Sequence, residues 1–580
     1  MTVPTTSTLR TVPTPGRWRS GIHSSSTAKP MTTVSQPTPA PVSRETPCAN
    51  TVQGPTPTPA VIMNPSAAPK RTRPASRRTR RASSGLLTPP IGPRRTGSGQ
   101  CQSRYGGLVA TLSATSLTHL LGEWRGTGPA LRALADRIRL LLLDGRITSG
   151  TRLPAERELA AALGVSRTTV AAAYARLRES GHLTSVRGSG SVAALPAASV
   201  PRPAGPRAPV EIDLTRAALP GAPEVLDAAR RAAADLPAHL PGVGYDLVGL
   251  PALRSAIADR YTGRGLPTRP EEVLVTLGAQ HAVGLLCRTL TVPGDRVLVE
   301  SPGYPHALDA VRGAGGRPVA VPVVAASAAR PGGWDADALE EAFSAARPAV
   351  AYLMPGFHNP TGAVMPAAQR RRLVELARRH GTRLVVDETT NDLGIDAATP
   401  PPFPADVVHV GSAAKTMWGG LRIGWLRADA ATVRHLAAHR SPWELGTPVL
   451  DQLVVAEVLP RLDEVLVARR AELRARRDAL LDELAGRLPE WELPVVPGGL
   501  ALWVHLGAAL SSPLALAARR HGVHVSAGPR FGVDGAFERY LRLPFGADPD
   551  TLREAARRLA RAWGEVRSEV PLAPSFEVLV

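Results

Sequence analysis

After residue 70 this chain contains a single lysine, Lys415, set in Gly411-Ser412-Ala413-Ala414-Lys415-Thr416-Met417-Trp418-Gly419-Gly420-Leu421-Arg422. Of 69 lysines plus arginines only Lys29, Lys70 and Lys415 are lysine. Arginine matches lysine as a charge, an ion-pair partner or a phosphate contact. It cannot supply a primary amine that sheds its proton and attacks a carbonyl. A lone lysine beside Ser412 and Arg422 therefore reads as a Schiff-base residue, the catalytic group of the chain, waiting for an aldehyde.

Five polar segments each follow an apolar run directly: Gly278-Ala279-Gln280, Ser301-Pro302-Gly303-Tyr304, His358-Asn359-Pro360-Thr361-Gly362, Asp387 and Ser412. Parallel α/β sheets gather ligands at the carboxyl ends of their strands, so all five can converge on Lys415. Together they meet the needs of pyridoxal 5'-phosphate. Asp387 can hold the pyridine nitrogen protonated, making the ring an electron sink. Gly278, Ala279 and Gln280 can offer backbone amides to the phosphate at a helix start. Ser412 and Arg422 add a hydroxyl and a charge to it. Asn359 can bond the phenolic oxygen, and Tyr304 can stack on the ring. No metal-ligand spacing is present among Cys48, Cys101 and Cys287, and so few cysteines suit a reducing compartment.

These segments need a scaffold. From Val210 onward short apolar runs alternate with helical patterns: 273–276, 296–299, 318–323, 349–354, 383–386, 407–410 and 422–426. That is an α/β domain with a mostly parallel sheet, and from Glu464 a smaller subdomain follows. Ahead of it, residues 113–192 predict a helix over Leu131–Leu142, a second over Pro154–Leu163, a third from Ser166, and a hairpin around Arg187-Gly188. Helix, turn, helix and wing form a winged helix-turn-helix. Its third helix opens with Ser166, Arg167, Thr168 and Thr169, where an arginine can read guanine in the major groove. Arg157 can reach the DNA backbone, and Arg187 with Gly188 lets the wing approach a groove.

Charge follows the same division. Residues 1–110 carry thirteen arginines and two lysines against Glu45 alone, a net +14, and residues 115–195 add +5. The remainder is close to neutral, so the basic charge points to double-stranded DNA as a partner. Residues 1–112, rich in Pro, Ser, Thr and Arg, read as a disordered basic tail, either a phosphate-binding arm or sequence upstream of the true start. A Pro/Ala linker over 193–209 separates the two folded parts. No apolar run reaches the ~18–20 residues of a membrane span, and the chain is expected to be cytoplasmic.

The segments Gly150 to Ala160, Leu163 to Val170 and Gly188-Ser189-Gly190 resemble the GntR-type DNA-binding domain. Residues 210–580 resemble fold-type I pyridoxal-phosphate enzymes of the aspartate aminotransferase group, with large and small subdomains. The whole resembles the MocR subfamily of GntR-type transcription regulators. That resemblance implies two further residues. Tyr245, in Gly244-Tyr245-Asp246, would reach the cofactor phosphate of the partner subunit in a head-to-tail homodimer. Arg542, in Tyr540-Leu541-Arg542-Leu543-Pro544, would clamp the carboxylate of an amino-compound effector. The family usually has a tyrosine two or three residues after the pyridine-binding aspartate, and here Thr389 and Thr390 follow Asp387. The expectation is a regulator that senses pyridoxal phosphate or an amino compound through Lys415, with little or no transaminase turnover. The alternative is an active aminotransferase carrying an appended DNA-binding domain.

Overall fold

The fourth helix of the N-terminal part begins where Ser166 turns its hydroxyl onto the amide of Thr169, 3.1 Å away, an N-cap that satisfies one orphan donor of the first turn. The helix before it ends at Gly164, whose φ of 62° lies in the left-handed region that glycine adopts without penalty. These two residues make the tight turn of the helix-turn-helix. The computed structural model describes residues 110–125, 128–186, 190–196 and 211–568. The N-terminal domain comprises α1 (Ala114–Leu121), α2 (Ala130–Leu143), α3 (Glu156–Leu163) and α4 (Arg167–Glu179). An antiparallel hairpin follows, β1 (Leu183–Val186) and β2 (Gly190–Ala193). Leu134, Ile138, Val170, Tyr174 and Leu177 fill its core at helical spacing.

The rest begins with β3 (Ile212–Leu214), α5 (Glu224–Asp235) and α6 (Pro251–Gly263). The alternating region then runs β4 (Val273–Thr276), α7 (Ala279–Leu290), β5 (Arg296–Ser301), α8 (Pro305–Gly313), β6 (Arg317–Val324), β7 (Gly333–Trp334), α9 (Ala336–Ala346), β8 (Val350–Leu353), α10 (Ala367–His380) and β9 (Arg383–Asp387). It closes with β10 (Val408–Ser412), β11 (Gly424–Arg427), α11 (Ala430–Ala438) and α12 (Val449–Val458). The eight strands are ordered β4-β11-β10-β9-β8-β5-β6-β7, with the central run from β10 to β6 parallel. Central strands such as β8 and β10 are buried along their whole length, as expected where helices cover both faces. The long α13 (Leu462–Arg487) leads into β12 (Ala501–His505), α14 (Ser511–Arg520), β13 (Val523–Ala527), β14 (Tyr540–Pro544) and α15 (Pro549–Ser568). Their sheet takes β3 as its fourth strand, parallel to β13, so the C-terminal subdomain is closed by a strand from far upstream.

Three sequence expectations are corrected. Ala110 to Leu112, assigned to the tail, pair with Arg152: the amide of Leu112 donates to its carbonyl at 2.9 Å and its amide donates to Ala110. Arg422 is not in a strand. It sits at φ 53° after a turn over 419–421, and β11 starts two residues later. The second helix starts at Glu156, not Pro154. Residues 1–109 and all of the 193–209 segment beyond Pro196 lie outside the described residues, as do Arg187 and Gly188. No helix among the described residues is long and apolar enough to cross a membrane.

The N-terminal domain docks on the C-terminal subdomain through α2. Leu140 belongs to the subdomain's core. Buried Arg137 donates from Nε to the carbonyl of Leu121 (3.0 Å) and from Nη2 to that of Gly535 (3.3 Å). Backbones touch beside it: the amide of Glu123 donates to the carbonyl of Asp534, and a Cβ on Gly122 would strike that same oxygen. Arg137→Ala strands both carbonyls in a dry seam, and should cost about 2–4 kcal/mol. The denaturant midpoint of the full chain should fall accordingly, and an unchanged midpoint would show that the seam carries no stability.

Candidate cofactor site and DNA-reading face

Strand ends bring together the residues singled out in the sequence. A cavity of about 340 Å³ is lined by Ala279, Gln280, Tyr304, Asn359, Asp387, Ser412, Lys415 and Arg422, with His358, Thr389 and Thr390 among the others. Lys415 donates from Nζ to the carbonyl of Ala217, just beyond β3. Burial, helped by the guanidiniums of Arg542 and Arg422, pushes its pKa down to about 8 against the pull of Asp387. A lysine so placed is largely a free amine at mildly alkaline pH, the form that attacks an aldehyde.

Asp387 ends β9 and is 2% exposed. The amide of Thr389 donates to Oδ1 at 2.9 Å, and the hydroxyl of Tyr352 on β8 donates to Oδ2 at 2.5 Å. Burial raises its pKa, and these two bonds partly reverse the effect. A desolvated carboxylate facing a cavity suits a ring nitrogen that carries a proton. Gly278 caps α7 with φ 79°, and a Cβ there would lie 2.8 Å from Nη2 of Arg422. Arg422 donates from that nitrogen to the carbonyl of Leu277, so a guanidinium and the start of α7 form one cradle for an anion. Ser412 accepts the amide of Ala414 and faces the same cavity. Residues and pocket thus fit pyridoxal phosphate: an amine, a buried carboxylate and an anion cradle.

Arg542 on β14 is buried, its guanidinium 4.8 Å from the ring centre of Phe531. It donates to the carbonyl of Thr215 and, at 3.4 Å, to Oδ1 of Asn359. Its Nε is buried without an acceptor, and burial lowers its pKa to about 10. Tyr304 stands at the start of α8, its phenol pushed up to about 12 by burial and by Asp387. Tyr245 lies elsewhere, 70% exposed beside the exposed Val243 and outside its own chain's cavity.

Several supporting residues were not singled out in the sequence. Tyr352 sits inside an apolar strand run, where a tyrosine reads as core. Glu300, at the end of β5, accepts the indole N–H of Trp334 (2.8 Å) and the amide of Met354 (2.9 Å). Its Oε2 also lies 3.2 Å from Nε2 of His358. This buried hub fixes the segment that carries Asn359. An acid set directly after the apolar run Val297–Val299 was the available signal, since a buried charge needs partners.

At the DNA-reading end, Arg167, Thr168 and Arg157 are exposed, with Thr169 half-buried. Ser166 is engaged as the cap of α4, with its hydroxyl 2.7 and 2.8 Å from those of Thr168 and Thr169. Glu156 pairs with Arg178 at 3.2 Å and lies 3.9 Å from Arg167. It therefore orients arginines across the two helices.

Cofactor-free protein should capture pyridoxal phosphate covalently at a rate that rises with pH, half-maximal near pH 8, because only the unprotonated amine attacks. Lys415→Arg should abolish borohydride-fixed label, and label recovered on another residue would refute the assignment. Tyr352→Phe removes one donor from Asp387 and should weaken cofactor binding by about 0.5–1.5 kcal/mol, read by absorbance titration.

Comparison with known proteins agrees with both parts. Residues 212–559 match the family model "Aminotransferase class I and II", and residues 131–192 match "Bacterial regulatory proteins, gntR family". The chain is 32% identical to 2-aminoadipate transaminase of Thermus thermophilus over 327 residues, 54% of this chain and 79% of that protein. It is 30% identical to the HTH-type transcriptional regulator TauR of Rhodobacter capsulatus over 482 residues, 75% of this chain and 97% of that protein. Among solved structures it resembles the α-aminoadipate aminotransferase LysN of Thermus thermophilus in complex with N-(5'-phosphopyridoxyl)-L-leucine. There the TM-score is 0.56 at 30% identity, covering 62% of this chain and 93% of that one. With an aminotransferase model matching most of its length behind a gntR-family domain, the chain belongs to the class I and II aminotransferase family, in the arrangement of the MocR subfamily of GntR-type regulators.

Proposed function

We propose that this chain is a pyridoxal-phosphate-dependent, DNA-binding transcription regulator. Its aminotransferase-like part, 210–580, senses the cofactor or an amino compound at Lys415. Its winged helix-turn-helix, 113–192, reads an operator. The observation that carries the reading is the α2 seam. The DNA-reading domain rests on Asp534 and Gly535, a few residues along the chain from Phe531, whose ring supports Arg542. A change at the carboxylate clamp is therefore one packed segment away from the reading head.

Bound pyridoxal phosphate supplies an aldehyde and an electron-withdrawing ring. Lys415 contributes the amine, Asp387 holds the ring nitrogen's proton, and Gly278, Ala279, Gln280, Ser412 and Arg422 hold the phosphate. Asn359 bonds the phenolic oxygen and Tyr304 covers the ring. Arg542, with its unpaired Nε, takes the effector's carboxylate. A second copy of the chain completes the site through Tyr245. Leu240, Val243, Trp443 and Leu445 stand exposed around it, where Asp246 and Gly446 bridge two neighbouring segments. An apolar surface of this kind favours a homodimer.

Thr389 and Thr390 line the cavity where an active transaminase of this type would place a tyrosine, and Thr390 spends its hydroxyl on the carbonyl of Gly356. Capture of an amine does not need that phenol, whereas repeated proton transfer is sensitive to it. The complete set of Lys415, Asp387 and Arg542 supports the second reading, a working aminotransferase with an appended DNA-binding domain.

Operator DNA selected from genomic fragments by the purified protein separates the two readings. A cognate amino compound should change operator affinity, and the operator should change that compound's affinity by the same factor. Arg167→Ala should cost about 1–3 kcal/mol at one base position, and Arg157→Ala should weaken all sequences alike and flatten the salt dependence. Rapid turnover with several amino acids, none of which alters DNA binding, would make the chain an enzyme first.

A further inference from the structure

A second cavity, about 330 Å³, lies at the seam between the DNA-reading domain and the C-terminal subdomain, away from Lys415. Its apolar wall comes from both sides: Trp124 and Pro129 from the N-terminal domain, Leu510, Pro513 and Leu516 from the subdomain. Its polar lining is dominated by four guanidiniums, Arg132, Arg139 and Arg176 on one side and Arg520 on the other, against the carboxylates of Asp136 and Glu538.

Part of that positive charge is paired at the seam, and part is not. Asp136 lies 3.5 Å from Arg139, and Arg520 is drawn to Glu565 at 3.1 Å. Arg176 has no carboxylate within ion-pair distance among the described residues, and the Nε atoms of both Arg139 and Arg176 are buried with no acceptor. Burial lowers the pKa of Arg139, and the nearby guanidiniums of Arg176 and Arg520 add to the effect against the pull of Asp136. Arg176, crowded by Arg139 and Arg520 at the rim of an apolar pocket, is left without an anion to offset that repulsion.

We infer that this seam cavity binds an amphipathic organic anion, its carboxylate or other acidic head among Arg139, Arg176 and Arg520 and its compact apolar body against Trp124, Leu510 and Leu516. The site is distinct from the cofactor cavity and does not depend on how that cavity works. Its occupant touches both domains at once. Arg176 lies on α4, the helix whose first residue is Arg167, about 13 Å along the axis at 1.5 Å per residue. A ligand here therefore steadies the reading helix against the subdomain.

Isothermal titration of the full-length, pyridoxal-phosphate-loaded chain tests this with 4-phenylbutyrate as probe. The neutral 4-phenyl-1-butanol and inorganic phosphate serve as controls. One saturable site per chain is expected for 4-phenylbutyrate, with each control at least tenfold weaker. Arg176→Gln should weaken the probe at least tenfold while leaving cofactor absorbance unchanged. From the opposite wall, Ala509→Phe should fill the cavity and do the same. The inference is overturned if the alcohol or phosphate binds as well as the acid, or if no saturation appears. It is equally overturned if both variants bind normally, or if binding shifts the cofactor's absorbance, which would place the acid at Arg542.

Discussion

A carboxylate kept out of water at the end of a central strand is the constraint around which this molecule is arranged. Asp387 is almost completely buried, and among the described residues no cationic side chain bonds to it; a backbone amide and the Tyr352 hydroxyl do. Burying an ionised acid on such terms is costly unless a partner arrives. The neighbouring strands β8 and β10 hold it from either side, supplying Tyr352 from one and leading to Lys415 from the other. Lys415 and Arg542 share the predicament, since both are desolvated cations near the same cavity. The cavity concentrates groups that water would otherwise stabilise, which prepares it for a charged and polar guest.

Much of this was legible in the sequence because chemistry-bearing residues sit at the ends of apolar runs. Lys415 stood out by residue type, and Asp387, Asn359 and Gly278 by following strand patterns. The helix-turn-helix was equally readable, since Gly164 and Ser166 carry their turn and cap roles locally. What escaped was non-local. Tyr352 reaches Asp387 from 35 positions away, and Glu300 meets His358 from 58. Neither contact has a sequence signature beyond a polar residue in an apolar strand. The place of β3 in the distant C-terminal sheet was hidden for the same reason: three alternating residues do not reveal their partner strand.

Ser166 opens the helix that carries Arg167 and the two threonines, and it has a structural role there. Its hydroxyl is committed to the start of α4, where it holds Thr168 and Thr169 in a fixed relation. Rigidity of that turn presents Arg167 in a defined direction, and Glu156 restrains the arginines nearby. Recognition by a short helix depends on such preorganisation, because each flexible side chain ordered on binding costs affinity.

The docking of α2 changes what the chain needs from the residues that join its two parts. Leu140 is inside the C-terminal subdomain's core, and Arg137 is bonded across the seam. Orientation of the reading head is therefore set by side-chain packing, and the connecting peptide is relieved of any duty as a strut. Its length and composition are free to drift, provided it can cover the distance from β2 to β3. The subdomain, in turn, acts as a handle: any swing it makes against the large sheet carries the DNA-reading helix along as cargo.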